Sequence, residues 1–434
     1  MVWRELSAVF PELATERVAQ WVGKCRVHVP NAIPSGRRWS LISSRLPRAL
    51  DEHPEWFQRL RAACDELRAS GGIVVAVDGT AACRFVCHAA ERFSLPLLFL
   101  RLGTETTSGA TSNHSELLAQ TGPAEVELAE ANDDDDEPSF QEIPLRDRLL
   151  WLLGQEIRVL AARRAGTVER LIAYQQRESP AWQPVRLDRI ATHETWTPPK
   201  PSAVTAIEAA RPSSTPAPIL DTATTLPWPA LWHATRRHEG PWTGQTESEF
   251  LDELLFERPE RDRSEAATLR RILEDGRLRA SPLAIRGGFA AVCFSAAPLD
   301  QRSSLRTFRA HRGRWDAEPF GIAVRTETLV ARGARPVIYG DESTWNNLAE
   351  PDRPWFQRHS TRSGKTPIDW SREQEWRLLG DLPLDELPPA DVRVFVPDAS
   401  MATRIAAVSR WPVIVLKSAA SPPEDQTPDR IKRS

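Results

Sequence analysis

Between Ile368 and Leu382 the chain reads IDWSREQEWRLLGDL, and two glutamates stand two residues apart beside a tryptophan. On a β-strand, whose side chains alternate between faces, that spacing puts Glu373, Glu375 and Arg377 on one side and Gln374, Trp376 and Leu378 on the other. The Trp376/Leu378 side would pack into a core, so the paired carboxylates would look into whatever cleft the opposite face borders. One carboxylate so placed can steady a developing positive charge, and a second at i−2 can orient or deprotonate an acceptor. The same pair is also what a solvated strand face looks like in a chain with 59 acidic residues. Its meaning depends on the elements around it.

At 434 residues the chain exceeds what one hydrophobic core usually holds, so two domains are expected. Lys+Arg 56 against Asp+Glu 59 leaves a net charge of −3, which excludes a global basic field of the kind that advertises nucleic-acid binding. MVWRELSAVF lacks a basic start followed by an apolar run, and no stretch of about eighteen apolar residues occurs, so neither a secretion signal nor a membrane span is expected. Five scattered cysteines fit buried thiols in a reducing, cytoplasmic compartment better than a disulfide framework.

The first domain is expected over residues 1–178. An opening helix is read over Glu5–Val22, then a short strand at Cys25–Val29 and a Pro-, Gly-, Ser- and Arg-rich loop from Asn31 to Arg45. The apolar spacing of Trp56, Leu60, Ala63 and Leu67 predicts an amphipathic helix that stops at Ser70-Gly71-Gly72. Ile73–Val77 is a continuous apolar strand, followed by the turn Asp78-Gly79-Thr80, a helix over Ala81–Phe93 and a second apolar strand at Leu95–Leu100. Strand, turn, helix, strand at this spacing is a βαβ unit of a parallel sheet covered on both faces, an α/β Rossmann-like domain. Its one glycine makes no GxGxxG. Residues 103–142, with an acidic run at Asp133–Glu137, read as a solvated loop. A helix at Leu145–Leu153, a strand at Ile157–Ala161 and a helix at Thr167–Gln176 close the domain. Cys83, Cys87 and His88 share a helix, but no further ligands stand at a recognisable spacing, so buried thiols are expected and no metal. Arg37, Arg38 and Arg45 are read as an exposed basic loop, with a phosphate as the competing reading.

Residues 179–228 carry nine prolines among Ser, Thr and Ala and read as a semi-extended linker. The second domain is expected over 229–417, with 418–434 a disordered tail. Here LWHAT (231–235) is a short strand carrying His233, and an Arg/Glu-rich insertion follows. Ser264 caps a helix with the buried stripe Ala266, Leu269, Ile272 and Leu273, ended by Gly276. AVCFS (291–295) is an apolar strand. Phe320–Val324 and Pro336–Tyr339 are further strands, Glu342–Pro367 looks mobile, and Val392–Val396 and Val413–Leu416 close the domain. Many short strands with few helices predict an α+β domain with a split or mostly antiparallel sheet.

The order LWHAT, L-x-x-I-L-x-D-G-x-L, AVCFS, FGIAV with GARPVIYG, then EQEWR resembles the AbiGi-type abortive phage-resistance family, and more distantly is similar to DarT-type ADP-ribosyltransferases. It covers roughly residues 229–417. RDRLLWLLGQEIRVLAARRAGTVERLI in the first half resembles, at the level of pattern, the last unit of SLOG-type nucleotide-sensing domains. The resemblance implies an ADP-ribosyltransferase-like fold around a cleft for NAD, taken as substrate. It implies that His233 and Thr235 bind an NAD ribose, that Phe294 and Ser295 flank nicotinamide, that Glu375 is the catalytic glutamate and that Glu373 is the additional acid. The chain departs from the familiar pattern in having no tyrosine in the middle strand and in placing Ala-Ala after Ser295.

Cleaving the nicotinamide–ribose bond puts positive charge on the anomeric carbon and ring oxygen, so a carboxylate beside the ribose binds the transition state more tightly than the ground state. On this reading the protein is an anti-phage or toxin-type effector whose first domain senses a nucleotide or a regulatory partner protein, and whose acceptor is a protein, a nucleic acid or, as in an NAD glycohydrolase, water. A second reading is a non-catalytic, antitoxin-like regulator that binds a nucleotide. A third is a nucleic-acid module using Arg302, Arg306, Arg309, Arg312 and Arg314.

Overall fold

A computed structural model of the protein describes residues 3–29, 33–46, 49–102, 124–130, 140, 142–178, 185–187, 216–220, 226–283, 285–309, 314–359 and 370–416. The acidic run at 133–137, most of the linker, Arg312 and the 418–434 tail lie outside them. The chain forms two compact units, Met1–Thr197 with Glu239–Arg261, and Pro198–His238 with Asp262–Ser434. The division therefore differs from 1–178 and 229–417: the insertion after His233 belongs in part to the first unit. The reason lies in its apolar face, since Phe250, Leu251, Leu254 and Leu255 of the helix Glu247–Leu255 are buried in the first unit's core.

The first unit holds an eight-stranded sheet made of β1 (Arg4–Glu5), β2 (Lys24–His28), β3 (Arg38–Ser43), β4 (Ile73–Val77), β5 (Leu97–Leu102), β6 (Ala124–Glu130), β7 (Glu156–Ala161) and β8 (Val185–Leu187). Their order is β1-β2-β6-β5-β4-β3-β7-β8. Every neighbouring pair from β6 to β8 runs parallel, and β2 and β1 add an antiparallel edge. Helices cover both faces: Thr15–Val22, Leu145–Leu153 and Thr167–Glu178 pack on Val75, Val77 and Leu98, while Pro54–Ser70 and Cys83–Arg92 pack on Val74, Ala76 and Phe99. This is the expected Rossmann-like α/β arrangement.

Three departures have local causes. The opening helix is two helices, Leu6–Val9 and Thr15–Val22, because Pro11 stands between them. The Asn31–Arg45 loop hides the strand β3, whose polar residues are paired rather than solvated. Arg38 Nε donates to Leu153 O at 2.8 Å and its guanidinium also meets Glu12, while Ser40 Oγ donates to Leu150 O at 2.6 Å. Arg37 pairs with Glu156 at 3.5 Å. Both ends of the expected linker are annexed, β8 by the first sheet and the strand Ile219–Leu220 by the second.

The second unit runs through β9 (Ile219–Leu220), β10 (Ala230–Ala234), β11 (Arg277–Leu278), β12 (Ala291–Ser295), β13 (Thr307–Arg309), β14 (Arg314–Asp316), β15 (Gly321–Arg325), β16 (Arg335–Pro336), β17 (Ile338–Gly340), β18 (Phe356–Arg358), β19 (Glu375–Leu379), β20 (Leu382–Pro383), β21 (Val392–Val396) and β22 (Val413–Val415). One mixed sheet has the order β16-β19-β12-β10-β15-β21-β22-β9, antiparallel except at the β21-β22-β9 end. β11–β20, β13–β14 and β17–β18 form small ribbons. The helices Glu265–Asp275 and Ala399–Ala406 bury Leu269, Leu273 and Ile405 against Leu231, Val292, Ile322, Val394 and Val413 on one face. Ser264 caps the first of these as expected, its Oγ accepting from Ala267 N–H at 3.2 Å, and Gly276 ends it at φ 62°. The other face carries a smaller cluster of Trp232, Ala323, Phe395 and Ile414.

The sheet opens between β10 and β12. β10 shares five register pairs with β15, but only Trp232↔Ser295 with β12.

Candidate functional site

The opening in the sheet explains what His233 does. Ala296 N–H donates to Gln374 O and Gly380 N–H to Ala290 O, so in the β12–β19 ladder the even residues of β12 are the bonded ones. The odd residues Ala291, Cys293 and Ser295 turn their backbone groups toward β10. Past Ser295 no backbone partner remains in register there, and His233 Nδ1 meets the carbonyl of Cys293 at 2.8 Å. Burial, with Arg236 nearby, pushes the imidazole down to about 4 against the pull of that bond. The ring is neutral at pH 7 and donates from Nδ1.

β19 starts at Glu375, shorter than the expected strand. Glu373 stands in the preceding 3-10 turn Trp370–Glu373, and Gln374 takes a positive φ of 45° between them. The two glutamates therefore do not share a strand face, which corrects the expectation that they form a pair at strand spacing. The face assignment beyond that point stands: Leu378 and Trp376 enter the core, while Glu375 and Arg377 face the other way, opposite Ser295 and Cys293.

Arg377 is the fixed centre of this side. Its side chain is 1% exposed. Nε donates to Glu375 Oε1 at 2.8 Å, Nη1 to the carbonyls of Pro354 and Phe356 at 2.9 and 2.8 Å, and Nη2 to Gln357 Oε1 at 2.7 Å. A charge so buried is tolerated because its donors are paired. Glu375 is held at both ends, since its backbone N–H donates to Tyr339 Oη at 3.0 Å. Burial first, then the charges of Glu375 and Glu373, push the Tyr339 phenol up to about 12. Burial and Glu375 likewise raise the Cys293 thiol to about 12, so it stands beside the carboxylate as a neutral S–H and not as a nucleophilic thiolate. Ser295 Oγ donates to Glu373 O at 2.6 Å and accepts from Ala297 N–H at 3.2 Å, tying the 3-10 turn to β12.

The structure thus brings Glu375 and Ser295 together, in direct register. It puts His233 and Phe294 on the opposite strand face, where their rings meet edge-on at 6.1 Å and Phe294 is buried in the core. Thr235 is buried, its Oγ1 donating to the carbonyls of Glu265 and Phe320 at 2.9 and 3.3 Å. Tyr339, Cys293 and Gln357 are members of the site that sequence reasoning missed. Tyr339 carried a signal: it is one of only two tyrosines in the chain. The strand expected at Pro336–Tyr339 is two strands, because Val337 N–H donates to Glu375 O and its neighbours pair on either side with different sheets.

Elsewhere, Cys83 and Cys87 are buried with sulfurs 3.9 Å apart, and His88 Nε2 meets Asp252 Oδ1 at 2.8 Å. No group of three or more candidate metal ligands occurs among the described residues. Of the arginine cluster, Arg302 donates to Ala317 O and Arg306 pairs with the buried Glu318 at 3.3 Å. Among the described residues no helix is long and apolar enough to cross a membrane. Comparison with family models, curated proteins and solved structures found no match to this chain.

Proposed function

We propose that the second unit is an NAD-dependent ADP-ribosyltransferase-like effector, of an anti-phage, abortive-infection or toxin type, in which Glu375 stabilises the oxocarbenium-like transition state. The observation that supports it is a carboxylate held rigidly by Arg377 and by its own N–H to Tyr339, beside Ser295 where the sheet opens. A group that must oppose charge developing on a ribose gains most from being fixed before the reaction starts. Arg377 orients the carboxylate, which accepts from the 2′-hydroxyl. The neutral Tyr339 and Cys293 border the carboxylate without adding negative charge. Glu373 stands in the 3-10 turn and off the strand face, and its backbone carbonyl, accepting from Ser295 Oγ, anchors the turn that leads into Glu375. The first unit, a Rossmann-like sheet, serves as a sensor for a nucleotide or a partner protein.

A second reading, a nucleotide-binding regulator without turnover, is favoured by two observations. Glu375 already has a full cationic partner in Arg377, and His233 spends Nδ1 on the backbone. The two are separated by comparing NAD binding with nicotinamide release in wild type and Glu375→Gln. Release that depends on Glu375 supports the transferase. Binding with no release from either protein supports the regulator.

A further inference from the structure

A cavity of ≈ 390 Å3 in the second unit is lined by Arg286, Glu342, Phe356, Gln357 and Arg358. Two guanidinium groups converge there on one carboxylate. Arg286 Nη1 and Nη2 reach Glu342 Oε2 and Oε1 at 2.8 and 2.6 Å, and Arg358 Nη2 reaches the same Oε2 at 2.7 Å. The count leaves one positive charge in excess. Arg286 also lies over the ring of Trp345 at 4.2 Å, and Trp345 meets Phe356 edge-on at 5.3 Å, so the guanidinium plane is set by an aromatic wall. All three charged side chains are between 39% and 49% exposed, and an ion pair this wet exchanges readily with a better anion. The cavity also communicates with the proposed site. Gln357 on its wall accepts from Arg377 Nη2, and Arg377 Nε holds Glu375.

We propose that this cavity is an anion subsite for the diphosphate of a nucleotide, in which a phosphate oxygen takes the place of Glu342 Oε2 between Arg286 and Arg358. Paired forks match phosphate in geometry as well as charge, and the volume falls within the range of small-ligand pockets. That the nucleotide is NAD rests on the reading of Glu375 given above; the preference for a diphosphate rests on the cavity alone. Glu342 then acts as an internal competitor that the ligand displaces, and Arg286, followed by Gly287 and Gly288 at φ 87° and 73°, sits on a turn whose backbone other residues rarely adopt.

Calorimetric titration of the full-length protein with inorganic pyrophosphate, ADP and ADP-ribose tests this. The expected result is binding of all three, weakened at least tenfold by Arg286→Gln or Arg358→Gln, less by Arg286→Lys, and tightened severalfold by Glu342→Gln. The exposed positions leave folding intact, which a thermal melt of each variant checks. Absence of binding in the wild type, or equal binding by the Arg286→Gln/Arg358→Gln double variant, overturns the subsite. So does nicotinamide release with an unchanged KM for NAD in that double variant, a result that leaves the transferase reading standing. Arginine-dependent pyrophosphate binding with no nicotinamide release under any condition does the reverse.

Discussion

Arg377 and His233 each satisfy a group that would otherwise be stranded, and each makes a separate prediction. Removing Arg377 strands Glu375, two carbonyls and the Gln357 amide oxygen in a buried place. Arg377→Met is expected to cost about 3–5 kcal/mol in urea unfolding; a loss under about 1 kcal/mol would show that the network relaxes around the gap. His233 predicts a pH dependence. Its pKa is about 4 in the folded protein and near the ordinary 6.5 once unfolded. Between those values the unfolded chain binds the extra proton, so stability is full above about pH 6.5 and falls as the pH drops toward 4. The residue as a whole is half-buried, and residual solvent limits the change to roughly 1–3 kcal/mol. His233→Asn, whose amide can donate to Cys293 O, is expected to flatten that slope; an equal slope in variant and wild type would assign it to other groups. At this scale the sequence was informative where alternation decides which face a side chain takes, as for Trp376 and Leu378 in the core and Arg377 on the other side. It was silent where a polar residue's partner comes from an element distant in sequence: the helix Leu145–Leu153 for Arg38 and Ser40, and β12 for His233.

Elements were legible where one face or the whole strand is apolar, as in Ile73–Val77, Leu145–Leu153 and the Ser264-capped helix. They were misread where the backbone makes an unusual move. Gln374 at φ 45° ends the strand before Glu373, and nothing in the E-x-E pattern reports that dihedral. Gly321 makes a complementary case. It pairs with Ala234 on β10, and a Cβ there would press on His233 O and the Phe395 ring and come within 2.9 Å of Ala234 Cα. Two of those neighbours are backbone and cannot yield without opening the β10–β15 ladder. Gly321→Ala is therefore expected to destabilise by about 1–3 kcal/mol, read as a lowered melting temperature of the full-length protein. A melting temperature within a degree of wild type would mean the ladder gives way cheaply.

For the whole molecule, the two-domain expectation from chain length holds, but the chain does not divide into two continuous segments. Glu247–Leu255 lies in sequence between β10 and the Ser264-capped helix of the second unit and is buried in the first. Composition could not reveal this, because an amphipathic helix reads the same whichever core it enters. Leu254→Ala, at a fully buried position, is expected to cost about 2–5 kcal/mol in the first unit's unfolding and to leave Glu375-dependent chemistry in place. Loss of both together would tie that chemistry to the first unit's stability. The central claim concerns Glu375 and is met most directly by the rate of nicotinamide release from saturating NAD in wild type and Glu375→Gln. The account predicts a measurable wild-type rate that falls by roughly 100-fold or more in the variant, with the two proteins melting alike. Equal rates from the two proteins would contradict it.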